Sequence, residues 1–247
     1  MRDVEPTPVG GAAKFRTTQW TVVLTARQQE GPAGRDALAT LCSAYWYPIY
    51  AFIRRQEFVP QDAEDLTQEF FRRFLEKNSL MNVSPAAGKF RSFLLTCVKH
   101  FLANERERGQ TQRRGGGQLA ISLDGIAAES RYLLEVPDKM TPEALFEQRW
   151  AFSVLEATIA RLAHEYAQRH KAQWFEEMKA FLPGSSDNPS RPELAAKQRV
   201  SVGALDVAIH RLRQRFGTLL REQVAQTVSS SDEVDEEIRY LISVLGS

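Results

Sequence analysis

The segment from Ser190 to Arg221 constrains the fold most, because it predicts two helices separated by a tight turn. Ser190 and Pro192 suit a first helical turn, since the amide that proline lacks would have no helical partner there. A break follows near 198–200, and Ser201 is placed to cap a second, longer helix. Apolar residues recur at helical spacing on one face of that helix: Leu205, Ile209, Leu212, Phe216, Leu219 and Leu220.

Basic and polar side chains cover the rest of this second helix. They are His210, Arg211, Arg213, Gln214 and Arg215. Two helices, a tight turn and a basic outer face predict a helix-turn-helix, which places its second helix in the major groove of DNA. A purely structural helical hairpin with a solvated basic face is the alternative that these residues alone leave open.

The size and composition of the chain fit a globular protein without membrane segments. Its 247 residues are 43% hydrophobic, enough for one large domain or two small ones. No apolar run approaches the ~20 residues that span a bilayer. The N-terminus lacks the basic-then-apolar order of a secretory signal. We therefore expect a cytoplasmic protein without membrane insertion, whose two cysteines, Cys42 and Cys97, are buried free thiols.

Charge is segregated along the chain, although the formal net charge is only +1. Residues 89–114 and 190–221 each carry seven basic side chains against two acidic ones. Residues 57–76 carry six acidic side chains against two basic ones, and the tail after Arg221 carries six against one. Two basic segments far apart in sequence favour two contacts with one polyanion.

Helical periodicity runs through the whole chain, so an all-α fold is expected. We predict two small helical domains joined by a flexible linker, the second containing the helix-turn-helix. The predicted divisions are a loose arm at 1–14, a first domain at 15–114, a linker at 115–140, a second domain at 141–228 and an acidic C-terminal helix at 229–247. Three consecutive glycines open the linker, and Thr141 with Pro142 gives the second domain a well-capped start.

Two motifs in the first domain carry most of the functional information. The segment DAEDLTQEFF at 62–71 predicts a helix with carboxylates outside and a buried apolar stripe that includes Phe70. The segment GKFRSFL at 88–94 opens a basic helix in which aromatic and basic residues alternate. That combination suits stacking on unpaired bases together with phosphate contacts. Packing of the same phenylalanines in the core is the alternative.

The order of these motifs resembles the extracytoplasmic-function sigma factors of bacterial RNA polymerase. The resemblance covers roughly residues 15–228 and includes the acidic helix, the GKFRSFL segment, a linker and a C-terminal helix-turn-helix. It implies a protein without catalytic activity or cofactor, whose partners are core RNA polymerase and promoter DNA. An anti-sigma factor is a further partner that the resemblance allows.

The resemblance also implies roles for individual residues. Polymerase docking would involve Asp62, Glu64, Asp65, Leu66, Gln68, Glu69 and Phe70. The melted −10 element would contact the loop at 78–88 and Lys89, Arg91, Phe93, Lys99, Asn104, Arg106 and Arg108. The −35 element would be read by Ser201, Val202, Gly203, Ala204, Asp206, Val207, His210, Arg211 and Arg213.

The helix-turn-helix departs from the family pattern at three positions. Gln198 stands where an apolar residue is usual, Arg199 where the turn usually has glycine, and Asp206 where a basic residue is frequent. A left-handed backbone costs arginine on the order of 1 kcal/mol relative to glycine. An acid near phosphates is repulsive, although it can accept a hydrogen bond from cytosine. These residues predict an unusual or weakened −35 contact.

Three further hypotheses arise from the same residues. A stand-alone helix-turn-helix regulator would need no acidic docking helix. An enzyme could use Asp62, Glu64, Asp65 and Glu69 as metal ligands, but no histidine or second carboxylate cluster accompanies them. Finally, the acidic tail from Asp232 to Leu245 could clamp onto a basic face of the same chain.

Overall fold

A computed structural model describes residues 32–75, 89–111, 123–135, 140–183, 185, 189–228 and 230–246. This part of the chain contains nine α-helices and no strand, which confirms the all-α prediction for it. The helices are α1 (Pro32–Arg54), α2 (Pro60–Leu75), α3 (Phe90–Thr111), α4 (Leu123–Glu135), α5 (Pro142–Gln168), α6 (Ala172–Met178), α7 (Arg191–Lys197), α8 (Val202–Val224) and α9 (Val234–Leu245). Short 3-10 turns at Lys179–Phe181 and Ser231–Glu233 extend α6 and precede α9. The predicted arm at 1–14, the start of the predicted first domain at 15–31 and the loop at 78–88 lie outside the described residues.

The starts of α2 and α5 follow the capping rules that the sequence predicts. Helix α2 begins at Pro60 with Asp62 in its first turn, where the helix dipole favours a carboxylate. The hydroxyl of Thr141 accepts a hydrogen bond from the amide of Ala144 at 3.2 Å, and Pro142 follows it in α5. Helix α1 continues through Pro48.

Helix α5 organises the core. Its N-terminal half packs along α1, where the rings of Phe52 and Phe146 meet edge to face with centroids 6.4 Å apart. Its C-terminal half packs against α8, with Arg161 and Glu222 paired at 2.6 Å. The buried side chains of the described helices form one continuous hydrophobic core. The predicted division into two separate domains is therefore not confirmed.

The prediction of an irregular linker at 115–140 is wrong for residues 123–135, which form α4. Ala128 and Tyr132 of α4 are buried against the core. The Tyr50 hydroxyl donates a 2.6 Å hydrogen bond to Glu129, which also pairs with Arg54 at 3.0 Å. Burial and this hydrogen bond raise the pKa of Tyr50. Helix α4 is thus tied to α1 by a polar cluster that local periodicity does not reveal.

The acidic helix predicted at the C-terminus is confirmed as α9. It packs against α5 and α8, with Val234, Glu237 and Leu241 buried on its inner face. Both cysteines are free and half-buried rather than fully buried, and burial raises the pKa of each thiol to about 11. In the described part of the chain, every helix is too short or too polar to cross a lipid bilayer.

Candidate nucleic-acid interface

Helices α7 and α8 are joined by a tight turn, as the sequence predicts. The chain turns at Gln198–Val200, where the amide of Val200 donates to the carbonyl of Ala195 at 3.0 Å. Arg199 occupies the left-handed region with φ 54°, where glycine would be less strained. The Ser201 hydroxyl then accepts a hydrogen bond from the amide of Ala204 at 3.1 Å and caps α8. Gln198 donates a hydrogen bond to Glu177, which gives its polar side chain a partner in the turn.

Helix α8 is divided into a core face and an open face. The predicted apolar stripe is buried from Leu205 to Leu220. Every residue predicted to read the −35 element is exposed: Ser201, Val202, Gly203, Ala204, Asp206, Val207, His210, Arg211 and Arg213. The N-terminal half of α8 therefore presents a continuous surface that includes two exposed valines.

Many cations of the helix-turn-helix segment are already neutralised inside the protein. Asp206 pairs with Arg191 at 3.4 Å, so the acid that departs from the family pattern is itself compensated. Three other basic residues of this segment pair with carboxylates: Lys197 with Glu177 at 3.0 Å, Arg215 with Glu165 at 2.5 Å, and Arg221 with Asp235. The local basic count of the sequence therefore overstates the charge available to DNA.

A cleft of about 590 Å³ runs beside α8 and adds cations that the sequence reasoning missed. Its lining includes Arg211 from α8 together with Arg169 and Lys171 from the corner between α5 and α6. Tyr166 and Trp174 stack in its wall with centroids 5.7 Å apart. Among the described residues, the side chains of Lys171 and Arg211 have no hydrogen-bond or ion-pair partner. Only the fold brings these cations together, because Lys171 is remote from α8 in sequence.

No protein-family model matches this chain, and neither a curated protein nor a solved structure does. The geometry of the chain therefore carries the functional argument by itself.

Helix α2 carries a second candidate surface. Asp62, Asp65 and Gln68 are exposed, and Leu66 is half-buried. In the part of the chain that the structure describes, no cation pairs with Asp62 or Asp65. Partial burial raises the pKa of Asp65, and the negative charges of Glu64 and Asp62 raise it further. These carboxylates repel one another, so a cationic partner would be favoured at this surface.

Two residues predicted for the docking surface lie in the interior, and one is paired within its own helix. Glu64 is only 4% exposed and accepts a hydrogen bond from Gln68, so its predicted outer position is wrong. Phe70 is 3% exposed and packs with the rings of Phe74 and Phe101. Glu69 is half-buried beside two arginines, Arg72 and Arg73, each with a nitrogen 2.6 Å from the carboxylate. The hydrogen bond from Arg72 is the main cause that lowers the pKa of Glu69 to about 2.

The metal-ligand arrangement considered for α2 has no support in the geometry. Among the described residues, no group of three or more His, Cys, Asp or Glu side chains is placed to hold a metal ion.

Helix α3 presents part of the predicted −10 surface. Lys99, Asn104, Arg106 and Arg108 are exposed, as predicted. Lys99 pairs with Glu143 at 2.8 Å, and Arg106 donates to Gln56 at 2.8 Å. Phe93 is half-buried against Phe74 and Phe90, so it is partly a core residue.

The start of α3 differs most from the prediction. Arg91 is 4% exposed, and its Nε lies 2.6 Å from Oε2 of Glu147 while its Nη1 donates to the buried Glu237 of α9. Lys89 lies 2.8 Å from the second carboxylate oxygen of Glu237. The Arg91 guanidinium carbon lies 4.6 Å from the ring centroid of Trp150 and 4.3 Å from that of Tyr240. In this arrangement Arg91 cannot contact DNA, because α9 covers it.

Proposed function

We propose that this protein is a sigma factor that binds core RNA polymerase and directs it to promoter DNA. The observation that carries the proposal is an acidic surface on α2, where Asp62 and Asp65 pair with no cation among the described residues, on the same chain as the exposed face of α8. A DNA-binding protein gains nothing from unpaired carboxylates near a polyanion, whereas docking to a basic protein surface uses them. The resemblance of the sequence to extracytoplasmic-function sigma factors supports the same assignment. The proposed site of action is the cytoplasm, where bacterial RNA polymerase works.

In this proposal the two surfaces have different partners. The exposed part of α2, centred on Asp65, docks a basic surface of core polymerase, with Leu66 as its apolar contact. The exposed face of α8 enters the major groove at the −35 element, and the exposed residues of α3 follow the backbone of the melted −10 element. Exposed Val202 and Val207 suit thymine methyl groups, which are apolar features of the major groove.

A stand-alone helix-turn-helix regulator is the second candidate function. One observation favours it: Lys89 and Arg91 are engaged with α9, whereas the −35 surface on α8 is fully exposed. Such a regulator would bind duplex DNA without polymerase. The acidic face of α2 then has no assigned role.

Co-purification with core RNA polymerase separates the two functions. We expect the wild-type chain to form a stable complex with core enzyme and Asp65→Arg to lose it while keeping its affinity for duplex DNA. Glu176→Arg is the matched control, because it reverses an exposed acidic charge on α6, away from α2. Wild-type chain that binds duplex DNA but never core enzyme would support the regulator instead. Retention of core enzyme by Asp65→Arg would reject α2 as the docking surface.

A further inference from the structure

We infer that Lys89, Arg91 and Trp150 form a binding site that helix α9 occupies in the free protein and that single-stranded DNA can take in its place. The exchange for DNA rests on the proposed function, whereas the occupation by α9 is a property of the fold. The site joins the start of α3 to the middle of α5, and α9 covers it from outside.

The charges at this site are balanced only because α9 is present. Lys89 and Arg91 bring two positive charges, and Glu147 of α5 supplies one negative charge at 2.6 Å from Arg91. Glu237 of α9 supplies the second and is fully buried between them, while the exposed Glu236 of α9 lies 3.5 Å from Lys89 at the edge of the site. A buried carboxylate is costly unless cations compensate it, and the same holds for the cations. The site therefore requires an anion in addition to Glu147.

Helix α9 also supplies an aromatic surface to the same cations. The ring of Tyr240 lies 4.3 Å from the Arg91 guanidinium and 5.5 Å from the Lys89 ammonium. One anionic group and one planar ring, offered together to a lysine and an arginine, are also what a nucleotide offers through its phosphate and base. In chemical terms α9 thus stands in for a nucleotide at this site.

The remaining contacts of α9 connect the start of α3 with the end of α8. Its buried apolar side chains, Val234 and Leu241, lie on the face that packs against α5 and α8. Asp235 pairs with Arg221 near the end of α8, and Glu237 reaches Lys89 and Arg91 at the start of α3. Release of α9 would uncover the site and remove a connection between α3 and α8 in one step.

The two occupants are mutually exclusive, because Arg91 is almost completely buried by its present partners. The apparent affinity for single-stranded DNA is then the intrinsic affinity of the open site multiplied by the fraction of molecules in which α9 is released. A change that weakens α9 without touching Lys89, Arg91 or Trp150 should increase that affinity. If α9 were only a structural support for a DNA-binding surface, the same change should instead decrease the affinity for single-stranded DNA.

Tyr240→Ala provides the direct test, with Ile242→Ala as its matched control on the exposed face of the same helix. The probe is single-stranded DNA of random sequence, measured with the full-length chain at fixed salt. We expect Tyr240→Ala to bind on the order of tenfold more tightly, because it loses the buried cation–π contact with Arg91 as well as the partly exposed one with Lys89. We expect Ile242→Ala to match the wild type. Glu237→Gln should change affinity in the same direction as Tyr240→Ala. Unchanged or weaker binding by Tyr240→Ala would overturn the inference.

Native-state hydrogen exchange tests the release of α9 without DNA. We expect the amides of α9 to exchange through a local opening that leaves the amides of α5 protected. Exchange of α9 only through global unfolding would contradict the inference. A chain that gains DNA affinity on Tyr240→Ala but never supports transcription initiation would retain this inference and reject the proposed function.

Discussion

Arg91 in α3 and Glu237 in α9 form a buried ion pair between residues that are 146 positions apart in the sequence. Each also has a second partner, because Arg91 contacts Glu147 and Glu237 contacts Lys89. The four side chains form one network, which we call the α3–α9 cluster. Three members lie on α3, α5 and α9 and Lys89 directly precedes α3, so the cluster connects the N-terminal and C-terminal parts of the fold.

The first prediction concerns the stability of the α3–α9 cluster. Arg91→Met should lower the free energy of unfolding by about 3–5 kcal/mol, since it leaves Glu237 buried with one cation fewer. The double variant Arg91→Met/Glu237→Leu should lose less than the sum of the two single variants, with a coupling energy of about 1–3 kcal/mol. Urea unfolding of the four chains gives this coupling energy. Additive losses would show that the two residues do not interact.

The second prediction concerns the turn of the helix-turn-helix. Arg199→Gly should raise the free energy of unfolding by about 1 kcal/mol, because φ at this residue is 54° and glycine adopts that conformation without strain. Ala196→Gly, in the adjacent helix, is the control and should lower stability by about 1 kcal/mol. If both variants are destabilised equally, Arg199 is not strained in the folded protein.

The third prediction compares the two serines that precede α7 and α8. Ser201→Ala should cost about 1 kcal/mol of stability, because the Ser201 hydroxyl accepts a hydrogen bond from a free amide at the start of α8. Ser190→Ala should cost much less, since the Ser190 side chain makes no capping hydrogen bond. Thermal unfolding of the two variants side by side measures the loss of stability in each. Equal losses would contradict this assignment.

The fourth prediction tests the cleft beside α8 as a contact for the DNA backbone. Lys171→Gln and Arg211→Gln should each reduce the slope of log affinity against log salt for a random-sequence duplex by about 0.9, the value for one lost phosphate contact. Arg221→Gln is the control, since Arg221 already pairs with Asp235 and should leave the slope unchanged. Equal slopes in all variants would remove the cleft from the DNA interface.

Local patterns predicted the helices well because helical spacing and capping depend on residues close in sequence. The buried stripe of α8 and the caps at Thr141 and Ser201 agree with prediction for this reason. Glu64 could not be placed correctly, because its burial depends on how α2 packs. Helix α4 was missed because its polar anchor, Glu129, has its partners in α1.

Tertiary contacts limit the prediction of the candidate site from sequence even more strongly. The sequence identified the exposed residues of α8, but it could not show which cations are neutralised, because their partners lie on other helices. Lys171 was overlooked and Arg91 was assigned to DNA, and both outcomes depend on tertiary contacts. The acidic tail was recognised as a potential clamp, whereas its target at the start of α3 became visible only in the fold.

Reconstituted transcription is the most direct test of the central claim. Purified bacterial core RNA polymerase would be combined with the full-length chain on a library of genomic fragments, and transcript start sites would be sequenced. We predict initiation from a limited set of promoters with shared −35 and −10 elements, and loss of that initiation with Asp65→Arg. Absence of initiation on every fragment, with core enzyme that is active in elongation, would contradict the claim that this protein is a sigma factor.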